Sequence, residues 1–348
     1  MRLIVQPPWC LLRRPWGRSL RGRGDRILRV VFTDFTQRDL ELERRLLAQA
    51  GLELVAAEPQ CIAEDEVIRA AREATALVIQ SAAITERVLA ALPNLRIVSV
   101  PGIGVDTIDT EAARRHGVWV AHVPDGNITE VACHAVAMAL ALIRHLPLYD
   151  AAVRAGAWHY EGTGPLTRPG KLTLGVVGLG KIGRLAAAYA APVFGRIIGY
   201  DPYLADAAWP RGVARERDLA ALFAASDVVT LHLPLTAETR GLVDRDLLAR
   251  MKRGSYLVNV SRGPIVGIPA LLAALDGGQL AGAALDVLPR EPPSADDPVL
   301  MHPKVILSPH AAFYSLEADE EQRRRSVTNI IRFLATGRPE NVVVEGTR

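Results

Sequence analysis

The chain has 348 residues, 49% of them hydrophobic and 23% charged, with a formal net charge of +3. That length and apolar content exclude an intrinsically disordered chain and leave room for two domains. The charge is nearly balanced, and much of the excess lies in the first thirty residues, so there is no electrostatic case for a nucleic-acid partner.

Cys10, Cys61 and Cys133 are scattered, which suits neither a disulfide framework nor a metal cluster. A reducing cytoplasm and no metal are expected. The longest apolar run, Val131 to Ile143, is too short to cross a membrane and carries His134, so no membrane partner is expected.

Residues 1–25 hold Pro7, Pro8, Trp9, Trp16 and several arginines, with the basic residues after the apolar stretch. A secretory signal has the opposite order. The expectation is a disordered basic extension without function. From Ile27 the pattern becomes regular. Strands are expected at 27–32, 52–56, 76–79, 95–100 and 118–121. Helices fall between them, at 37–50, 63–72, 85–91 and 111–116. The alternation predicts a first parallel α/β unit. Val123 to Gly126 reads as a linker. A nearly all-apolar helix, 128–146, is expected next, stopped by Pro147. Such a helix must be buried by neighbours.

The second α/β unit opens on Lys171. An apolar run ends at Val177, and Gly178, Gly180 and Gly183 then form Gly-x-Gly-x-x-Gly. An Ala-rich helix follows, then a second apolar run ending in Asp201. This order of strand, turn, helix, strand and acid is the dinucleotide-binding fingerprint. Gly178 permits the turn, Gly180 the approach of a pyrophosphate, and Gly183 close helix–strand packing. The helix N-terminus presents N–H groups to the phosphates. Asp201 is placed to accept from ribose hydroxyls. A 2′-phosphate there would meet a like charge, at a cost of about 1 kcal/mol in water and ~4 kcal/mol at a surface-like dielectric. NAD is therefore favoured over NADP.

Further strands are expected at 196–201, near 213, and at 227–231, 255–260, 282–287 and 304–308, with a last helix at 316–335. Ligands of open parallel sheets bind beyond the carboxyl ends of the strands. Those ends carry Gly178, Asp201, His232, Arg262, Asp286 and His310. An arginine, an aspartate and a histidine thus gather at one edge.

Several motifs together resemble one family. They are Gly102 to Asp109 (Gly-Ile-Gly-Val-Asp-Thr-Ile-Asp), the Gly178 fingerprint, His232 to Thr236, Asn259 to Gly263, Ala283 to Val287, Arg290 to Pro292, and Ser308 to Ser315. The chain, over about residues 27–345, resembles the D-isomer-specific 2-hydroxyacid dehydrogenases. It is similar to their phosphoglycerate dehydrogenase, hydroxypyruvate reductase and C-terminal-binding-protein branches. The resemblance implies a Rossmann-type NAD-binding domain plus a flavodoxin-like substrate domain. The boundaries read as 26–124 for the first segment of the substrate domain, 125–310 for the NAD-binding domain, and 311–348 for the returning segment. It also implies a cleft between the domains, a homodimer with helix 128–146 near its interface, and interconversion of a D-2-hydroxy acid and a 2-oxo acid.

The resemblance implies that Arg262, Glu291 and His310 are catalytic. Arg262 offers a planar fork for a carboxylate. His310 can exchange the proton, since an imidazole ordinarily titrates at ~6.5. Glu291 is to hydrogen-bond the far ring nitrogen. Without the resemblance, Glu291 reads as an ordinary loop carboxylate. Softer roles are implied for Lys181 and Ile182 (pyrophosphate), Leu233, Pro234 and Thr239 (adenine side), Val260 and Asp286 (nicotinamide), and Ile103 and Gly104 (substrate carboxylate). His116, His122, His134, His145, His159 and His302 read as structural. Three departures from the family pattern stand out: Gly267 where an acid usually caps a helix, Cys133 where an acid often stands, and Phe313. Glu291 argues against a formate dehydrogenase. The rival reading is an NAD(H)-binding scaffold of the transcriptional co-repressor kind. The Phe313 segment leans that way and the intact trio leans against it.

Overall fold

The computed structural model describes residues 28–36 and 39–348. The basic extension read over residues 1–25 lies outside the described residues. In chain order the strands are β1 (Arg29–Phe32), β2 (Glu53–Ala56), β3 (Ala76–Val78), β4 (Ile97–Ser99) and β5 (Trp119–Ala121). Then come β6 (Thr173–Val177), β7 (Arg196–Tyr200), β8 (Ala214–Arg215) and β9 (Val228–Leu231). The last are β10 (Ser255–Asn259), β11 (Leu280–Leu285), β12 (Val305–Leu307) and β13 (Val342–Val344).

The chain divides into two compact units. One takes the described residues up to Gly126 together with Asp319–Arg348, and the other is Asn127–Ala318. The sequence boundary after His310 therefore falls after Ala318 in the structure. The cause is visible in residues 311–315: Ala311 and Ala312 donate N–H bonds to Asp286, and Ser315 bonds Glu130, all within the second unit.

The sheet of the first unit runs β13-β5-β4-β3-β1-β2. Its pairs are parallel except for β13, which lies antiparallel on β5. Without β13 the order is 2-1-3-4-5, that of flavodoxin-like folds. Alternate residues serve opposite faces. Val31, Leu77, Val98 and Val120 enter one core, and Val30, Val78, Ile97 and Trp119 the other. Both faces are apolar, so these strands read as unbroken hydrophobic runs.

The sheet of the second unit runs β12-β11-β10-β9-β6-β7-β8, wholly parallel. Counted from β6, this is the 3-2-1-4-5-6 order of dinucleotide-binding sheets with one strand added at the β12 edge. The strand order reverses between β6 and β9. Leu174 and Val176 of β6 enter one core, and Val177 the other.

The long apolar helix is shorter than its sequence suggests. It spans Ile128–Ile143, and His145 then takes a left-handed φ of 52°. A second helix, Leu146–Arg154, starts at once, bent by 58°. Pro147 does not stop the first helix. It sits in the opening turn of the second, where its missing N–H leaves no hydrogen bond unmade. Among the described residues no single helix is long and apolar enough to cross a membrane.

Candidate active site

The glycine-rich turn has the geometry its sequence predicts. Gly178 has φ 88°, and a Cβ there would lie 2.3 Å from the carbonyl oxygen of His232. A Cβ on Gly183 would lie 1.9 Å from the carbonyl oxygen of Gly178. Gly180 differs: a Cβ there would meet nothing within 4 Å. Gly178 and Gly183 are thus required by the fold itself, whereas Gly180 borders open space. Gly180 is also the N-cap of the helix Lys181–Ala190 and supplies no side-chain cap. The opening N–H groups of a helix have no intrahelical partners, so this end suits a phosphate. Lys181 and Ile182 form that first turn. The residues present therefore fit a dinucleotide.

Asp201 stands just beyond β7. One carboxylate oxygen accepts from the Leu179 N–H at 2.9 Å, and the other from the N–H groups of Tyr203 and Leu204. The acid ties the glycine loop to the turn after β7 and leaves a negative charge at the strand end. Leu233, Pro234 and Thr239 form the loop after β9. The Thr239 hydroxyl donates to the Pro234 carbonyl at 2.7 Å, and the Leu233 N–H to Ser261 Oγ at 3.0 Å. Val260 is buried beyond β10. His232 lies behind the glycine turn, with its Nε2 3.1 Å from Thr230 Oγ1 and its buried Nδ1 without a protein partner. Burial pushes its pKa down to about 4, so the ring is neutral at pH 7.

The catalytic candidates come from three loops of the second unit. Arg262 follows β10, and its Nη1 donates to the Ser261 carbonyl at 2.9 Å. His310 follows β12 in a left-handed conformation, φ 52°. Its Nδ1 lies 2.5 Å from Glu291 Oε2. The other oxygen of Glu291 accepts from the Leu288 N–H at 2.8 Å. Burial raises the Glu291 pKa, but the His310 hydrogen bond and charge, the Leu288 N–H and the Arg262 charge outweigh it. The net value lies below the ordinary carboxylate range. Glu291 is therefore an anion at neutral pH, and His310 carries its proton toward it on Nδ1. The Phe313 ring packs edge-on to the imidazole, 6.4 Å between centroids.

Asp286 is 2% exposed. One of its oxygens accepts from the Ala311 N–H and from the Ser308 hydroxyl, the other from the Ala312 N–H. Its own carbonyl accepts the His310 N–H at 2.7 Å. Read from sequence as a nicotinamide contact, Asp286 in the structure is the hub of the loop that bears His310. Ile103 and Gly104 belong to the first unit, in the loop after β4, where the Ile103 carbonyl bonds His122 Nδ1 at 2.8 Å. On the helix Ile128–Ile143, His134 reads from sequence as structural, and Glu130 is not singled out there. Glu130 bonds Ser315, and His134 bonds Ser308. Their signal was a polar pair four residues apart on an otherwise apolar helix.

Sheet order, glycine turn and strand-end acid define a dinucleotide-binding α/β protein. Residues 136–312 match the model of the D-isomer specific 2-hydroxyacid dehydrogenase, NAD binding domain, and the chain belongs to that family. A D-3-phosphoglycerate dehydrogenase of Mycobacterium bovis is 37% identical over 285 residues, 81% of this chain and 53% of that one. The chain spans about half the length of the curated relatives it matches. Among solved structures, a protein from Thermus thermophilus is 32% identical with a TM-score of 0.81, covering 91% of this chain and 100% of its own. A D-lactate dehydrogenase from Aquifex aeolicus, complexed with NAD and lactic acid, is 27% identical with a TM-score of 0.81, covering 91% of this chain and 100% of its own.

Proposed function

We propose that this chain is an NAD-dependent oxidoreductase that interconverts a D-2-hydroxy acid and a 2-oxo acid. The observation that carries the reading is the His310–Glu291 pair, 2.5 Å apart, with the Arg262 charge acting on the same carboxylate. Reduction of an oxo acid needs an anchor for the carboxylate and a proton for the developing alkoxide. Arg262 supplies the anchor through its planar fork and polarises the adjacent carbonyl. His310 delivers the proton from Nε2, because Nδ1 is engaged by Glu291. Glu291 fixes the orientation of the ring through its Nδ1. NADH, when bound, supplies the hydride.

The protein is further proposed to act as a homodimer. Leu146, Leu148, Val153, Trp158 and Tyr160 all stand exposed in the segment after the long helix, Trp158 at 86%. Apolar residues gathered in this way mark a surface that a partner covers. Free Cys61 and Cys133 suit a reducing cytoplasm.

The test follows NADH oxidation with glyoxylate, hydroxypyruvate, phosphohydroxypyruvate, pyruvate and bulkier oxo acids, with light scattering for the oligomer. Turnover of at least one acid is expected, largely abolished by His310→Ala or Arg262→Ala. Tight NADH binding without turnover across the panel would replace the enzyme reading by the scaffold one.

A further inference from the structure

The loop Ser308–Ser315 holds His310 in a backbone conformation that non-glycine residues seldom adopt. Such a conformation persists only where the surroundings over-determine it. Asp286 supplies part of that constraint. A further part comes from the helix Ile128–Ile143, which meets the loop at both ends. His134 Nε2 lies 3.0 Å from Ser308 Oγ, and Glu130 Oε1 accepts the Ser315 hydroxyl at 2.9 Å. Glu130 and His134 are four residues apart, so they share one face of the helix. The serines they grip stand two residues before His310 and five after it.

The direction of the bonds is fixed by proton inventory. The Asp286 oxygens accept from the Ser308 hydroxyl and from two N–H groups. The single Ser308 proton is therefore spent on Asp286, and its lone pair faces His134. His134 must then carry a proton on Nε2. The chain runs His134 to Ser308 to Asp286, and Asp286 in turn receives the N–H groups of Ala311 and Ala312.

We propose that His134 and Glu130 are positioning residues: they clamp the two ends of the His310 loop and so set the aim of its imidazole. The proposal rests on the acid/base role given to His310 above.

The test uses the full chain with His134→Ala, His134→Gln, Glu130→Ala and Glu130→Gln. The glutamine at 134 keeps an N–H donor, and the glutamine at 130 keeps an acceptor. Each alanine variant is expected to lower kcat about tenfold, the effect of one lost half-buried hydrogen bond. The KM for the oxo acid should rise little, and NADH affinity by fluorescence titration should hold. The glutamine variants should recover most of kcat. A second readout needs no turnover: the ¹⁵N imidazole resonances of His310, assigned with His310→Gln. The wild type should show one tautomer, protonated at Nδ1, and His134→Ala a mixture. Wild-type kcat together with unchanged His310 resonances in His134→Ala would overturn the proposal. So would a parallel fall of kcat, NADH affinity and thermal stability that glutamine does not repair. If the wild type turned over no acid of the panel, the enzyme reading would fail while the resonances still decided the clamp.

Discussion

Two glycines three residues apart should respond in opposite ways to the same added methyl group. In Gly183→Ala the new carbon would lie 1.9 Å from the Gly178 carbonyl oxygen. A relaxed carbon–oxygen contact is ~3.3 Å or more, so helix and turn must separate by about 1.4 Å. Both partners are backbone, and overpacking of that kind costs ~1–3 kcal/mol. In Gly180→Ala the carbon meets nothing within 4 Å, and the residue's φ of −64° suits alanine. Stability should then change by less than ~0.5 kcal/mol. If the open space is where the pyrophosphate lies, the methyl holds it off the helix N-terminus. Loss of one charge-assisted hydrogen bond is worth ~1.5–3 kcal/mol, so NADH should bind at least about tenfold more weakly. Urea unfolding and NADH fluorescence titration of both variants measure the two quantities. Wild-type NADH affinity in Gly180→Ala would refute the reasoning, as would equal destabilisation of the two variants.

His232 predicts a pH slope. Its pKa is lowered from 6.5 to about 4 in the folded protein, so between those values the unfolded chain binds more protons. Stability should therefore fall as pH drops through this window, by ~1.4 kcal/mol per unit and about 3 kcal/mol in all, and His232→Gln should remove the slope; parallel pH profiles in urea unfolding would contradict this. Arg323 grips Glu43 at 2.6 and 2.8 Å, and Glu43 is only 1% exposed. Arg323→Met should strand that carboxylate and cost ~3–5 kcal/mol, with Glu43→Gln restoring much of it in the double variant; a loss below ~1 kcal/mol in the single variant would count against the pairing. Gly267 is the N-cap of the helix Ile268–Asp276 and makes no side-chain bond. Gly267→Ser should add ~0.5–1 kcal/mol, seen as a melting temperature a few degrees higher, and an unchanged or lower one would show that the cap is not limiting.

The sequence carried the parallel architecture because both faces of each sheet are buried, which turns strands such as Thr173–Val177 into apolar runs between glycines and caps. The glycine turn was legible for a related reason: Gly178 and Gly183 answer to contacts with the loop after β9 and the turn itself, within one supersecondary unit. Glu291 was legible only through likeness to the family, since nothing local distinguishes it from other loop carboxylates. Pro147 misled because a proline that ends one helix and a proline that begins the next look alike in sequence. His134 and Asp286 were hardest. Their partners lie 174 and 22–26 residues away, and their meaning depends on which helix face and which strand end come together.

The short β13 also bears on solubility. It lies along β5, whose opposite side is already taken by β4, so β5 shows no bare ladder and the margin passes to a strand of only three residues. Beyond it, the N–H groups of Thr347 and Arg348 both fasten to the Gly117 carbonyl. A version of the protein cut before Val342 would uncover the N–H and C=O rows of Trp119–Ala121, a template onto which another chain could add a strand. Such a truncation should be soluble when dilute and self-associate as its concentration rises, even with every residue of the candidate active site intact.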